Sequence, residues 1–218
     1  TQRDGLAVFR EDVKHVLCID DPAADDDVAV EFPEADPRNM ACVLFTSGTT
    51  RHPKGVSVSH RNIANLIQGL HARYPGADTF FHHSSLQFDA STLEIWWPLM
   101  TGNRLVVAPP GLLSPDKITR LVARHDVNYL WLTTGLFQLM VEQALPGLQG
   151  IPHVMFGGEA TSPRRVEEMR AAHWGGVLAN AYGPTEGTTF TTTFEIDPRK
   201  PVDGPLPIGK PIDNAEVY

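Results

Sequence analysis

The stretch FTSGTTRHPKG, from Phe45 to Gly55, gathers hydroxyls, glycines, a proline and a lysine directly after the apolar run Ala41 to Phe45. Backbone N–H groups near Gly48, the hydroxyls of Thr46, Ser47, Thr49 and Thr50, and the charge of Lys54 together suit an oligophosphate. Gly48 and Lys54 keep the spacing of a Walker A loop. Pro53 nevertheless replaces the glycine before the lysine, and Gly55 replaces the following Ser/Thr, which disfavours a P-loop NTPase. TSGT alone reads as a hydroxyl-rich surface hairpin, and the attached PKG turns the reading towards phosphate. A second stretch, NAYGPTE from Asn180 to Glu186, offers Tyr182 as an aromatic face for a purine and Thr185 as a hydroxyl for phosphate. Its Glu186 is a hard oxygen ligand suited to magnesium already carried by phosphates. On spacing alone the same residues form a Gly-Pro turn with a solvated glutamate. A third stretch, LQFDAS from Leu86 to Ser91, sets Asp89 in otherwise apolar and hydroxyl-bearing surroundings. A buried aspartate without a partner is costly, so Asp89 points to solvent, caps a helix or awaits a cation. His82 and His83 are open between ligand, core and surface roles.

The elements that position these residues are legible as periodicity. Ser59 is placed to cap a helix whose Ile63, Leu66, Ile67 and Leu70 form one apolar stripe. From Arg104 onward apolar runs alternate with amphipathic segments. Leu105 to Ala108 precedes Ser114-Pro115, an N-cap followed by a first helical residue, and Ile118, Leu121 and Val122 follow at helical spacing. Tyr129 to Leu132 precedes a helix through Phe137 to Ala144. His153 to Phe156 precedes Ser162-Pro163 and the helix with Val166 and Met169, and a last strand runs from Val177 to Ala179. This alternation predicts an α/β fold with a mainly parallel sheet flanked by helices. Ligands in such sheets gather beyond the carboxyl ends of the strands, where Trp131-Leu132, Phe156-Gly-Gly158 and Asn180 to Gly183 are expected to converge.

Composition narrows the function classes. The 218 residues carry a formal net charge of -8, which leaves no electrostatic footprint for nucleic acid or an anionic membrane. An anionic ligand then depends on local groups such as Lys54. Cys18 and Cys42 form neither a disulfide framework nor a zinc-site pattern, so a reducing, cytoplasmic setting is expected. No apolar run approaches the ~20 residues needed to span a bilayer. The acidic, proline-punctuated segment from Asp20 to Pro37 reads as a linker, giving a lead-in over residues 1–40 and a core over 41–218.

Together the three stretches, in this order, resemble the adenylation domains of nonribosomal peptide synthetases, within the superfamily of acyl-CoA synthetases and luciferases. FDASTLEIWWPLMTGNRLVV, LWLTTGLF, GGEATSP and PIGKPIDNAEVY extend the likeness from about Ala41 to Tyr218. The resemblance implies that an amino acid carboxylate attacks the α-phosphate of ATP, releasing pyrophosphate and leaving an aminoacyl-adenylate. Positioning and charge neutralisation would carry such a reaction. The implied roles fall on Thr46 to Lys54 as a clasp over the β- and γ-phosphates, and on Gly157, Gly158, Glu159, Asn180, Ala181 and Tyr182 around the adenine. Thr185 would touch the α-phosphate, Glu186 would bind Mg2+, and His83 would lie near the reacting carboxylate.

By the same resemblance Asp89 pairs with the substrate ammonium, and the pocket is lined by Asp89, Ala90, Leu93, Trp131, Met155, Gly157, Ala181, Thr189 and Phe190. One acid, mostly apolar walls and two large rings suit a short branched side chain. The expected substrate is valine, with isoleucine and 2-aminobutyrate as competitors. Expected partners are a peptidyl carrier protein bearing phosphopantetheine and a small accessory protein of the synthetase system. The likeness lacks the family's earliest motifs, its ribose-holding aspartate, its hinge and its C-terminal subdomain with the catalytic lysine. The expectation is thus part of a large N-terminal core, very weak in adenylation by itself. An acyl-CoA or aryl-acid ligase, or a noncatalytic nucleotide-binding fragment, is the alternative. Arg51 departs from the family's usual glycine and is expected to turn outward with His52.

Overall fold

A computed structural model describes residues 34–46, 52–172 and 175–218, and the fold below is that of the compact unit Pro37–Tyr218. Strands β1 (Met40–Thr46) and β2 (Lys54–Ser59) pair antiparallel as a two-stranded sheet, with Thr46 opposite Lys54 and Phe45 opposite Gly55. Helix α1 (His60–Arg73) follows β2 without a break. The Ser59 hydroxyl accepts from the Asn62 N–H at 3.2 Å while Asn62 Oδ1 accepts from the Ser59 N–H at 3.1 Å, a reciprocal capping box. The expected stripe Ile63, Leu66, Ile67 and Leu70 is buried.

Strands β3 (Thr79–His82), β4 (Arg104–Val107), β5 (Tyr129–Thr133), β6 (His153–Gly157) and β7 (Val177–Tyr182) form a parallel sheet. Strands β8 (Thr192–Glu195) and β9 (Lys210–Pro211) continue it antiparallel, giving seven strands in the order β4-β3-β5-β6-β7-β8-β9. The connecting helices are α2 (Ala90–Thr101), α3 (Pro115–Arg124), α4 (Thr134–Leu148) and α5 (Pro163–Ala172). Ser114 caps α3 with Pro115 at its start, as its sequence predicts. Helix α4 extends past Ala144, but the backbone there leaves helical geometry two residues before Pro146, whose ring forbids a regular turn.

Both faces of the sheet are covered, and the two-residue strand period sorts the side chains. Phe80, Tyr129, Trp131, Met155, Ala179 and Ala181 join the core under α1 and α2. Phe81, Leu130, Leu132, Val154, Phe156 and Leu178 join the core under α3, α4 and α5.

Helix α2 and strand β3 escape the periodicity read from the sequence. Helix α2 is apolar on most sides, contains Pro98 and has no side-chain N-cap, so its start and stripe carry little signal. Burial holds it instead. Trp97 is fully buried with its ring 5.1 Å from Phe80 and 4.8 Å from Tyr129. Trp97→Ala is therefore expected to lower the unfolding free energy by about 3–5 kcal/mol, read as a shifted midpoint in urea at unchanged slope.

Candidate active site

The strand register brings the expected residues to one edge of the sheet. Trp131 lies opposite Met155, and Thr133, Gly157 and Ala181 share the next edgeward row. Asp89 immediately precedes α2, which contributes Ala90 and Leu93 to the same core cluster as Trp131, Met155, Ala181 and Phe190. The rings of Trp131 and Phe190 are 4.6 Å apart. Gly157 faces this cluster as well: a Cβ there would lie 2.0 Å from the Ala181 carbonyl and 3.2 Å from the tip of the Trp131 ring. Thr189 is buried, and its hydroxyl donates to the Asp89 backbone carbonyl at 2.9 Å. The expected amino acid pocket is thus brought together, as side chains packed on one another. The indole N–H of Trp131 is buried without a hydrogen-bond partner among the described residues, so an acceptor brought by a ligand would relieve it.

Asp89 is half-buried and holds an αR backbone with no side-chain capping bond. Its carboxylate instead accepts from the Thr185 hydroxyl at 2.9 Å. Burial pushes the Asp89 carboxyl above its ordinary value, and hydrogen bonds from Thr185 and the Ala90 backbone offset part of that rise. The helix-capping alternative therefore does not hold, and the carboxylate is met by neutral donors alone, where a cation would serve it better.

Next to this cluster a cleft of about 290 Å³ is lined by Gly158, Glu159, Asn180, Ala181, Tyr182 and, from the far side, Ile208. Tyr182 is 47% exposed, leaving ring surface for a flat ligand. Gly158, Glu159, Asn180, Ala181 and Tyr182, expected around an adenine, are thus brought together on one cleft, while Gly157 faces the Trp131 cluster. Strand β7 reaches Tyr182 rather than ending at Ala179, because Asn180 and Ala181 pair with both β6 and β8. Pro205 and Leu206 also line the cleft, and no periodic pattern marks them in the sequence. Beneath the turn after β6, the buried Thr134 hydroxyl lies 3.1 Å from the Gly157 carbonyl, 2.9 Å from the Glu159 carbonyl and 3.2 Å from the Thr161 hydroxyl.

Thr185 and Glu186 begin a single 3-10 turn (Thr185–Gly187), against which β2 packs. Glu186 is exposed and Lys54 is exposed, while Thr46, opposite Lys54, is half-buried. The two strands thus frame the loop expected to clasp phosphates. Ser47, Gly48, Thr49, Thr50 and Arg51 lie outside the described residues. After the turn, Thr188 and Thr189 take φ of 62° and 66°, a region costly for β-branched side chains. Gly183 makes this path possible, since a Cβ there would meet the Thr189 carbonyl at 2.6 Å.

His83 is largely buried, and its Nε2 lies 2.8 Å from the Trp131 carbonyl, which assigns the ring proton to Nε2. The residue that holds this corner is Glu94, which the sequence reading missed. Its carboxylate is 1% exposed. Oε2 accepts from His82 Nδ1 at 2.7 Å and from the backbone N–H groups of His83 and Ser84 at 3.1 and 3.0 Å, while Oε1 accepts from the Ser84 hydroxyl at 2.7 Å. An acid inside the apolar run LEIWW is the signal that could have marked it. Among the described residues no cluster of three or more His, Cys, Asp or Glu could hold a metal ion. The donor set around Glu186, one carboxylate beside a phosphate-suited hydroxyl, fits magnesium that arrives with phosphates, since that ion keeps few protein ligands.

Gly157→Ala is expected to cost about 3 kcal/mol, because the new methyl meets backbone that belongs to the β6–β7 ladder and cannot rotate away, as a urea midpoint would register. For Asp89 the sign follows from the raised carboxyl. The protonated form favours the folded state below the ordinary value of 3.8, and that contribution is lost as pH rises through the raised folded value. Asp89→Asn, which keeps an acceptor for Thr185, is expected to gain stability relative to the unsubstituted protein as pH rises above 3.8 without ligand, in paired urea titrations.

The profile of the AMP-binding enzyme family matches residues 3–218. One of the linear gramicidin synthase subunits of Brevibacillus parabrevis is 39% identical over 83% of this chain and 2% of its own length. The L-allo-isoleucine:holo-[CmaA peptidyl-carrier protein] ligase of Pseudomonas savastanoi pv. glycinea is 34% identical over 94% of this chain and 34% of its own length. The chain therefore spans about a third or less of these relatives. Among solved structures, holo-PA1221, an NRPS protein containing adenylation and PCP domains and bound to a vinylsulfonamide inhibitor, superposes with a TM-score of 0.81 and 34% identity, covering 90% of this chain and 34% of that one. The N-terminal subdomain of Klebsiella oxytoca NpsA, in complex with 3-hydroxyanthranilyl-AMSN, gives a TM-score of 0.77 and 30% identity over 85% of this chain and 48% of that one. With sequence and fold in agreement, the chain belongs to the AMP-binding enzyme family, and its relatives there are adenylation domains of nonribosomal peptide synthetases.

Proposed function

We propose that this chain is part of the N-terminal core of an ATP-dependent ligase that activates an α-amino acid as its aminoacyl-adenylate, in the cytoplasm. The single observation that carries the reading is Asp89, a half-buried carboxylate raised by burial and met by neutral donors alone, the Thr185 hydroxyl and nearby backbone N–H groups, beside an apolar cluster. A substrate ammonium answers that deficit, and acids without an amine leave it standing. This favours an amino acid over the acyl or aryl acids of other ligases in the superfamily, and catalysis over a noncatalytic nucleotide-binding role.

In this reading Tyr182, Gly158 and Glu159 hold the adenine, Thr185 bonds the α-phosphate, and Lys54 with the Thr46 loop gathers the distal phosphates. Magnesium, held by Glu186 and the phosphates, supplies charge neutralisation on the phosphoryl oxygens. The His83 ring, fixed by the Trp131 carbonyl, stands by the carboxylate that attacks the α-phosphorus as pyrophosphate departs. Trp131 and Phe190 fill volume that a long side chain would need, which supports valine ahead of isoleucine and 2-aminobutyrate. The relative acting on a peptidyl-carrier protein and the neighbour with a PCP domain support transfer to a phosphopantetheine thiol on a carrier protein. A small accessory protein belongs to the same proposal.

The test is amino-acid-dependent exchange of pyrophosphate into ATP by the complete enzyme across a substrate panel. Valine is expected to lead, with neighbours differing by one methylene trailing by about tenfold or more. Asp89→Ala is expected to lower exchange by about a hundredfold or more with ATP affinity retained, and Trp131→Ala to admit larger side chains. Exchange driven equally by 3-methylbutanoate, or untouched by Asp89→Ala, would sink the amino acid reading.

A further inference from the structure

The two halves of the site share one hydroxyl donor. A threonine hydroxyl has one O–H to donate, and Thr185 gives it to Asp89 Oδ2 at 2.9 Å. The same hydroxyl is the one suited to a phosphoryl oxygen, so it cannot serve both acceptors at once. Asp89 is held in place for this exchange from its other side, where the Thr189 hydroxyl donates to its backbone carbonyl at 2.9 Å. Thr188 and Thr189 keep positive φ in the segment that joins the Thr185 turn to Phe190, so the tie between turn and α2 persists against backbone strain.

We infer that Thr185 is a coupling residue: its hydroxyl, which keeps its proton throughout, donates to Asp89 while no amine is bound and turns to donate to a phosphoryl oxygen once a substrate ammonium takes over the carboxylate. This rests on the adenylation reading and deepens it. An ammonium carries three donors, enough to replace the hydroxyl at Oδ2. Nucleotide affinity then rises when the amine site is filled, and amine affinity rises by the same factor when nucleotide is bound. An acid without an amine leaves Thr185 on Asp89 and gains no such help, which adds discrimination at the phosphate end of the site.

Calorimetry on the complete enzyme separates the amine from the reaction. The probe is magnesium-loaded α,β-methylene-ATP, titrated alone, with valinol, which has the amine but no carboxylate, and with 3-methylbutanoate, which has the carboxylate but no amine. Should the exchange panel select another amino acid, its own amino alcohol and deaminated acid are used. Valinol is expected to tighten the nucleotide analogue about tenfold, and 3-methylbutanoate by less than about twofold. Thr185→Val is expected to weaken the analogue and abolish the valinol effect, while Thr185→Ser, which keeps the hydroxyl, retains it. The valine variant also controls for plain charge attraction between valinol and phosphates, which it leaves in place. Equal effects of valinol and 3-methylbutanoate, or a full valinol effect in Thr185→Val, overturn the coupling role alone. Failure of the unsubstituted enzyme to bind the nucleotide analogue or the amino acid overturns the adenylation reading and the coupling with it. The ligand comparison needs no variant, so misfolding of Thr185→Val leaves the inference open to refutation.

Discussion

A carboxylate removed from water must be met by donors or by a cation, and helix α2 displays both situations near its start. Glu94 is closed off at 1% exposure, yet its oxygens collect a ring N–H, two backbone N–H groups and a hydroxyl. Those donors come from His82 to Ser84, so the carboxylate ties the end of β3 to the helix and keeps His83 against the Trp131 carbonyl. Asp89, five positions earlier, receives the Thr185 hydroxyl as its side-chain donor, with backbone N–H groups beside it, and is still raised by burial. The contrast gives the two acids different meanings. Glu94 is closed off with donors on both oxygens; Asp89 has neutral donors only, and a cation would satisfy it better.

The sheet makes this arrangement possible by letting backbones approach where side chains would block them. Trp131 fills the space beside Gly157, and Gly157 admits the Ala181 carbonyl at a distance that no Cβ would tolerate. The strand alternation that sends Trp131, Met155 and Ala181 to the α1–α2 face sends Leu132 and Phe156 to the other face. A one-residue slip would exchange these sets, placing Leu132 and Phe156 where Trp131 and Met155 now stand. The register therefore decides which side chains make up the cluster around Trp131.

Where sequence was legible, a local rule and the tertiary structure agreed. Ser59 and Ser114 cap their helices because a small hydroxyl before an apolar stripe satisfies N–H groups in any context. The parallel sheet was legible because strands of four to six residues alternate with amphipathic helices. Helix α2 was not, since a segment buried on most sides loses its amphipathic signature, and its stability comes from Trp97 packed on partners far along the chain. Of the site, Asp89 stood out as a charge among apolar residues. Glu94 has the same signature in LEIWW, and only geometry tells the two apart, because what differs is how many donors reach each carboxylate. Pro205, Leu206 and Thr134 were invisible for a related reason, as a loop wall and a buried hydroxyl acquire their roles from distant backbone.

The positive-φ pair Thr188–Thr189 explains why the turn carrying Thr185 stays where Asp89 can use it. Two β-branched residues in that region cost about 1–3 kcal/mol each, and the surrounding contacts must outweigh that cost. They do so through contacts with Gly183, Asp89 and Trp131. Gly183 packs its bare Cα against the Thr189 carbonyl, Thr189 donates to Asp89, and Phe190 lays its ring on Trp131. The Trp131 cluster and the Thr185 turn are thus tied to each other through Asp89, Thr189 and Phe190.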